Sequence, residues 1–320
     1  MDRRAFLGSL TGGLLAAPLA AEAQRIPRVG ILLFTQQDLA VIGPCFQELR
    51  ALGYVDGKTV ALEYRDADGR FERLPELASE LVRANPDVMF SYGGEQAPIV
   101  KRATTAIPIV VVVSNDPVAS GLVASLARPG GNITGVTYVH DRLAGKSIEL
   151  LKDAAPRVSR VAMLWNPNHA DPEFRETQQA AGALGVQLQS LEVREAGDFD
   201  GALQAARRER PEALIVAGSR LVYRHRQRIG DFVAQNRLIL VGTPQWLTEI
   251  GSLFTYGPNP VELNRRAASY LDRILKGAKP ADLPMLQPAT FELIVNLKTA
   301  RALGLTIPSS LLVRADKVIE

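Results

Sequence analysis

Short apolar runs alternate with amphipathic stretches along most of the chain. In the first third the runs stand at 28–34 (RVGILLF), 59–64, 87–92, 107–113 (IPIVVVV) and 133–138. The run at 107–113 is apolar at every position, which predicts a strand buried on both faces of a parallel sheet. Between the runs, apolar residues recur at three- and four-residue spacing. Ile42, Cys45, Phe46, Leu49 and Leu52 mark a helix over 38–52 that stops at Gly53. Leu74, Leu77, Ala78, Leu81 and Val82 mark another over 74–84, and a third is expected over 96–105. Asp116 before Pro117 reads as a helix start, because the carboxylate caps free N–H groups and Pro suits the first helical position. Leu122, Val123 and Leu126 would share one face of that short helix. Pro129-Gly130-Gly131-Asn132 then turns the chain into the strand at 133–138. Strands alternating with helices predict an α/β domain with a doubly wound parallel sheet.

The pattern then restarts. A helix over 147–154 leads to Arg160–Trp165 (RVAMLW), a strand like the first one. Leu52-Gly53 ahead of Leu62-Glu63-Tyr64-Arg65 is echoed by Leu184-Gly185 ahead of Leu191-Glu192-Val193-Arg194. Pro86-Asp87-Val88 has its counterpart in Pro211-Glu212-Ala213, and Ile107–Val113 in Leu238–Gly242. A weak repeat of this length is too long for a solenoid unit and predicts two similar α/β lobes. Beyond the second lobe come a strand at 252–256, an amphipathic helix at 261–275, a Pro-rich crossing at 279–288, a strand at 291–297 and a short helix at 298–303.

A length of 320 residues suits two lobes, and 47% hydrophobic with 22% charged residues is ordinary globular composition. A net charge of +3, without a basic tract interleaved with aromatics, does not suggest nucleic acid. The basic stretch Arg220–Arg228 reads mostly as a solvated helix face. The first 23 residues read as an export signal: Arg3-Arg4, a Gly/Ala-rich apolar stretch, then Ala21-Glu22-Ala23 for cleavage. Arg3-Arg4-Ala5-Phe6-Leu7 resembles the twin-arginine motif, the general secretory route being the alternative. That stretch is too short and too interrupted for a stable membrane span. The lone Cys45 sits on an apolar helix face and reads as a core residue.

No nucleophile elbow, zinc-protease signature, Walker loop or dinucleotide fingerprint is present. His140, His169 and His225 have no Cys or carboxylate at ligand spacing, and no orienting partner for His169 as a base is visible in the sequence. No cofactor, metal or catalytic constellation is therefore expected. What remains is a set of polar and aromatic strand ends: Phe34-Thr35, Tyr92 to Gln96 (with Gly94 and Glu95), Ser114-Asn115-Asp116 and Tyr138 in the first lobe. In the second they are Trp165-Asn166-Pro167-Asn168, Gly218-Ser219-Arg220 and Thr243 to Trp246. Carboxyl ends of parallel strands are where open α/β sheets bind ligands. Glu95 or Asp116 could take an ammonium, and aromatic rings could hold a planar body. Asp116 has two readings, helix cap and ligand contact.

Several phrases resemble one family of periplasmic solute-binding proteins of ABC transporters, which includes tryptophan and tyrosine binders. They are Leu52-Gly53-Tyr54-Val55-Asp56-Gly57, Asp116-Pro117-Val118, Arg128-Pro129-Gly130-Gly131-Asn132-Ile133-Thr134-Gly135, Asn166-Pro167, Tyr256-Gly257-Pro258 and Lys298-Thr299-Ala300 with Gly304-Leu305. The resemblance runs through nearly the whole mature chain. It implies the type I periplasmic binding fold, two lobes joined by a hinge that the chain crosses three times. Lobe 1 would take residues 24–139 plus 252–283, and lobe 2 residues 140–251 plus 284–320. It implies pocket positions after Gly93-Gly94 and at Asn115, Asp116, Asn166, Asn168 and Ser219. The implied role is capture of a small polar or aromatic, amino-acid-like solute and its delivery to an ABC permease in the inner membrane. An exported sensor for a membrane receptor is the alternative.

Overall fold

A computed structural model describes residues 25–139, 143–169 and 172–320; the expected export signal at 1–23 lies outside the described residues. The chain forms two α/β lobes, each built on one sheet. In the first lobe β1 (Arg28–Leu33), β2 (Ala61–Asp66), β3 (Val88–Tyr92), β4 (Ile109–Val113) and β5 (Ile133–Thr137) lie in the order β2-β1-β3-β4-β5, all parallel. Helices α1 (Asp38–Ala51), α2 (Leu74–Arg83) and α3 (Ala97–Ala103) supply the crossovers. All five residues of β4 are buried, as its unbroken apolar run requires. One face of the sheet packs Val110 and Val112 with Ile42, Cys45 and Leu49 of α1, the other packs Ile109, Val111 and Val113 with α2 and α3.

After α4 (Leu143–Ala154) the second lobe repeats the plan. It contains β6 (Arg160–Trp165), α5 (Glu173–Ala183), β7 (Gln187–Glu192), α6 (Asp198–Glu209), β8 (Ala213–Val216), α7 (Arg220–Arg224), α8 (Arg226–Asn236) and β9 (Ile239–Gly242). Then come β10 (Phe254–Pro258), α9 (Pro260–Leu275), β11 (Phe291–Asn296), α10 (Leu297–Leu303), α11 (Ser309–Leu312) and β12 (Lys317–Ile319). The second sheet runs β12-β11-β10-β9-β8-β6-β7, parallel except between β10 and β11.

The structure corrects two expectations from the sequence. The first places the strand at 252–256 in the first lobe, but β10 is hydrogen-bonded between β9 and β11 in the second sheet. Only the stretch from α9 to Leu286 returns to the first lobe. Leu263, Ala267, Leu271 and Ile274 of α9 pack against α1 there, and Leu286 bridges to Val136 at the edge of β5. Each large buried side chain of this kind contributes roughly 1.5–3 kcal/mol, which fixes α9 to the first lobe. The chain then crosses again into β11. The second correction concerns 117–126. No helix forms there; Asp116 starts a succession of turns interrupted by Gly121. Its Oδ1 accepts the Val118 and Ala119 N–H groups at 2.8 and 3.1 Å.

Both sheets share one feature that decides where a ligand goes. In each, the first strand of the lobe lies between the second and third (β2-β1-β3, β7-β6-β8). The crossovers leave to opposite sides at that point, opening a crevice at the carboxyl ends of the strands. Residues 34–38 and 92–96 edge the first crevice, residues 165–169 and 217–220 the second.

Candidate functional site: a cleft between the lobes

The two crevices meet in one cleft of 1090 Å³. The first lobe contributes Phe34, Thr35, Asp38, Tyr92, Gly93, Glu95, Ser114 and Tyr138 to its wall. The second contributes Ser219, Arg220, Tyr223, Arg224, Thr243 and Trp246. Five aromatic residues thus border one space: Phe34, Tyr92, Tyr138, Tyr223 and Trp246. Tyr223 and Trp246 meet edge to face, with centroids 5.4 Å apart at 74°. This geometry suits a planar apolar body better than isolated rings would.

Among the strand-end residues singled out in the sequence, Phe34, Thr35, Glu95, Tyr138, Ser219, Arg220 and Trp246 line the cleft. Gly94, Gln96 and Asn115 lie behind its wall. A Cβ on Gly94 would fall 2.6 Å from Asn115 Oδ1, so glycine lets those two loops touch. Gln96 is fully buried, and its side-chain amide has no hydrogen-bond partner among the described residues. Asp116 is spent on its own turn, away from the cleft wall. Asn168 is exposed and its N–H donates to Asn166 Oδ1 at 2.9 Å, so this pair also lies outside the lining. Trp165 stacks on Phe174 at 4.4 Å and donates to Ser190 Oγ, a packing role within the second lobe.

Cross-lobe polar contacts concentrate on Arg220 and His169. Arg220 follows Ser219, whose Oγ accepts the Val222 N–H and caps α7. From that position the guanidinium reaches into the first lobe. Its Nη1 donates to Asp38 Oδ1 at 2.8 Å and its Nη2 to the Tyr92 carbonyl at 3.2 Å. It also lies over the Phe34 ring, 4.9 Å from the centroid. Arg224 adds a second cation over the same ring at 5.7 Å. The basic stretch 220–228 is therefore not uniformly a solvated face. His169, only 5% exposed, places Nε2 at 3.2 Å from Ser114 Oγ and Nδ1 at 3.7 Å from Glu95 Oε1. The sequence shows no partner for it, because Ser114 and Glu95 come from the other lobe.

Burial governs the floor of the cleft. The Tyr92 hydroxyl is pushed up to about 12 by burial, with Arg220 pulling the other way. Burial also raises Tyr138 well above the ordinary phenol, and Asn264 Nδ2 donates to its hydroxyl at 3.3 Å. Both phenols stay neutral and available for hydrogen bonding at any physiological pH. Among the described residues, no group of three or more His, Cys, Asp or Glu is placed to hold a metal ion.

Asp38, Tyr223 and Arg224 are not singled out by the sequence pattern. Asp38 reads there as an ordinary acidic helix start, and the two others as part of a helix face. Their position in the first turn or so of the helices that leave each crevice was the available signal.

Comparison with known proteins agrees with this architecture. Over 256 residues the chain is 22% identical to a tyrosine-binding protein of Clostridioides difficile, covering 79% of this chain and 73% of that protein. A conserved domain protein of Vibrio cholerae superposes with a TM-score of 0.85 at 25% identity, covering 92% of this chain and all of that one. An ABC domain of Streptococcus pneumoniae in complex with L-Trp does so with a TM-score of 0.83 at 23% identity, over the same shares. The family's members are solute-binding proteins rather than enzymes. The family model described as ABC transporter substrate binding protein matches residues 34–319, and the chain belongs to that family.

Proposed function

We propose that this protein is exported and captures a small polar or aromatic, amino-acid-like solute between its lobes for delivery to an ABC permease. The cleft itself carries the reading: five aromatic residues and hydrogen-bonding groups converge on it from both lobes. The aromatic rings take the planar body of the solute. Glu95 suits an ammonium, and the Thr35 and Ser219 hydroxyls suit a carboxylate or amide. The similarity to a tyrosine-binding protein and to a domain holding L-Trp supports an aromatic amino acid or a close analogue. Ligand contacts made by both lobes favour the closed arrangement, and hinge closure is the motion this implies. No described helix is long and apolar enough to cross a membrane.

The test is a thermal-shift screen of the purified mature chain against amino acids, aromatic acids, amides and nucleosides, with calorimetry on each hit. An aromatic amino-acid-like hit whose affinity falls in Glu95→Ala and Trp246→Ala supports the reading. A panel with no hit, or a ligand indifferent to both substitutions, contradicts it.

A further inference from the structure

We propose that Arg224 sets the charge selectivity of the cleft: its guanidinium takes an anionic group of the solute, the carboxylate of an amino-acid-like molecule. This rests on the cleft being the solute site, as proposed above, and adds which residue tells an acid from its amide. The cleft wall carries two arginines one helical turn apart, Arg220 and Arg224 at the two ends of α7. Only one of them has charge to spare. Arg220 donates to Asp38 Oδ1 and to the Tyr92 carbonyl at 2.8 and 3.2 Å. Asp38 is fixed in that duty, because its Oδ2 accepts the Phe34 and Thr35 N–H groups at 2.9 and 3.3 Å. The Arg220–Asp38 pair is neutral overall and offers a carboxylate little.

Arg224 is placed differently. It is exposed, and among the described residues it makes no ion pair. Two carboxylates of the same wall are engaged by other arginines, Asp38 by Arg220 and Glu249 by Arg226 at 3.8 Å. The Arg224 guanidinium lies over the Phe34 ring at 5.7 Å, beside that of Arg220 at 4.9 Å, and Phe34 itself is 4% exposed. At this point of the wall a solute therefore meets a cation rather than an aromatic face. The ring steadies the guanidinium without taking the place of a hydrogen-bond acceptor. A planar fork of N–H donors with no acceptor of its own is what a carboxylate binds in two parallel bonds.

Lys317 is another cation on the wall without an ion pair among the described residues. It stands on β12, at the edge of the second sheet and four strands from β8. The crevice of that sheet opens beside β8, and α7 is the helix that follows β8, so Arg224 is the cation at the crevice. Glu95 stands on the wall of the first lobe. A solute with an ammonium at Glu95 and a carboxylate at Arg224 touches both lobes through opposite charges. Amidating the carboxylate removes the contact that Arg224 recognises and leaves the one at Glu95.

The test is calorimetry on matched pairs of acid and primary amide: L-tyrosine and its amide, L-tryptophan and its amide, L-leucine and its amide. Titrations at about pH 6 keep the ammonium on both members of a pair. The proteins are wild type, Arg224→Gln, Arg224→Lys and Lys317→Gln, with circular dichroism to confirm folding. Wild type should prefer the acid of whichever pair it binds by roughly tenfold or more, the worth of a hydrogen bond between charged groups. Arg224→Gln should erase that preference by weakening the acid alone. Arg224→Lys should keep part of it, since an ammonium lacks the planar fork, and Lys317→Gln should keep all of it. An acid preference seen only with L-leucine and lost in Arg224→Gln supports the role of Arg224 and contradicts the aromatic reading. An aromatic amide bound as tightly as its acid, or a preference that survives Arg224→Gln, overturns the role of Arg224 and leaves the aromatic reading standing. Binding in none of the pairs overturns both. If Arg224→Gln fails to fold, Arg224→Lys decides: an undiminished preference there overturns the proposal.

Discussion

Arg220 Nη1 lies 2.8 Å from Asp38 Oδ1, joining residues 182 positions apart and in different lobes. Both side chains are largely withdrawn from solvent, at 16% and 8% exposure. Each comes from the crevice of its own sheet, one from the helix after β1 and the other from the helix after β8. The pair therefore measures how closely the two crevices are apposed.

Gly93 borders that pair and gives the first prediction. Its φ of +112° is a conformation that side-chain-bearing residues rarely adopt, and a Cβ would collide with the guanidinium. Gly93→Ala should cost about 1–3 kcal/mol in denaturant unfolding. An unchanged unfolding midpoint would show that the loop accommodates the methyl group.

Glu212 gives a pH prediction. Its carboxylate accepts the Ser159 and Arg160 N–H groups at 2.7 and 2.8 Å, tying the start of β8 to the start of β6. The Ser159 backbone bond is the largest cause holding its pKa below the ordinary 4.5. A group with a lowered folded pKa stabilises the protein fully above its unfolded value and loses that contribution as pH falls through the folded one. Glu212→Gln should thus lower stability by about 0.5–1 kcal/mol at pH 7, since these bonds are exposed to solvent. The gap from wild type should narrow as pH falls below the ordinary carboxylate value of 4.5. A gap independent of pH would mean that the carboxylate charge is irrelevant there.

Cys45 gives a reactivity prediction. It is fully buried between α1, α9 and the first sheet, and burial pushes its thiol far up. Without thiolate or access, a thiol reagent should label it only as fast as the native lobe opens. Rapid stoichiometric labelling of native protein would contradict the packing described for this lobe.

Much of the fold was legible in the sequence because local pattern dictated it. The unbroken run at 107–113 predicted a strand covered on both faces, and the spacing in α1 and α2 named most of their buried sides, although Leu52, just past α1, is exposed. What failed was non-local or marginal. Nothing within 254–258 says which sheet will pair with it; β9 and β11 decide that. Leu122, Val123 and Leu126 have helical spacing, but Gly121 and the turn at Pro129 leave too few residues to propagate a helix. The same division holds in the cleft. Strand-end position picked out Phe34, Thr35, Glu95, Tyr138, Ser219, Arg220 and Trp246, which stand on the cleft wall. It could not distinguish them from Asp116, which satisfies its own turn, or from Asn166 and Asn168, which bond to each other. It also missed Asp38, whose partner lies in the other half of the chain.

The cleft reading is tested most directly by calorimetric titration of an aromatic amino acid, or the best hit of the solute screen, into wild type and Trp246→Ala. Loss of one buried ring contact of about 1.5–3 kcal/mol corresponds to roughly a ten- to hundredfold weaker Kd. One site per chain and that weakening are expected, in a variant that still unfolds cooperatively at a midpoint lowered by the lost contact with Tyr223. Equal affinity in both proteins, with the variant folded, would place the solute elsewhere and contradict the account.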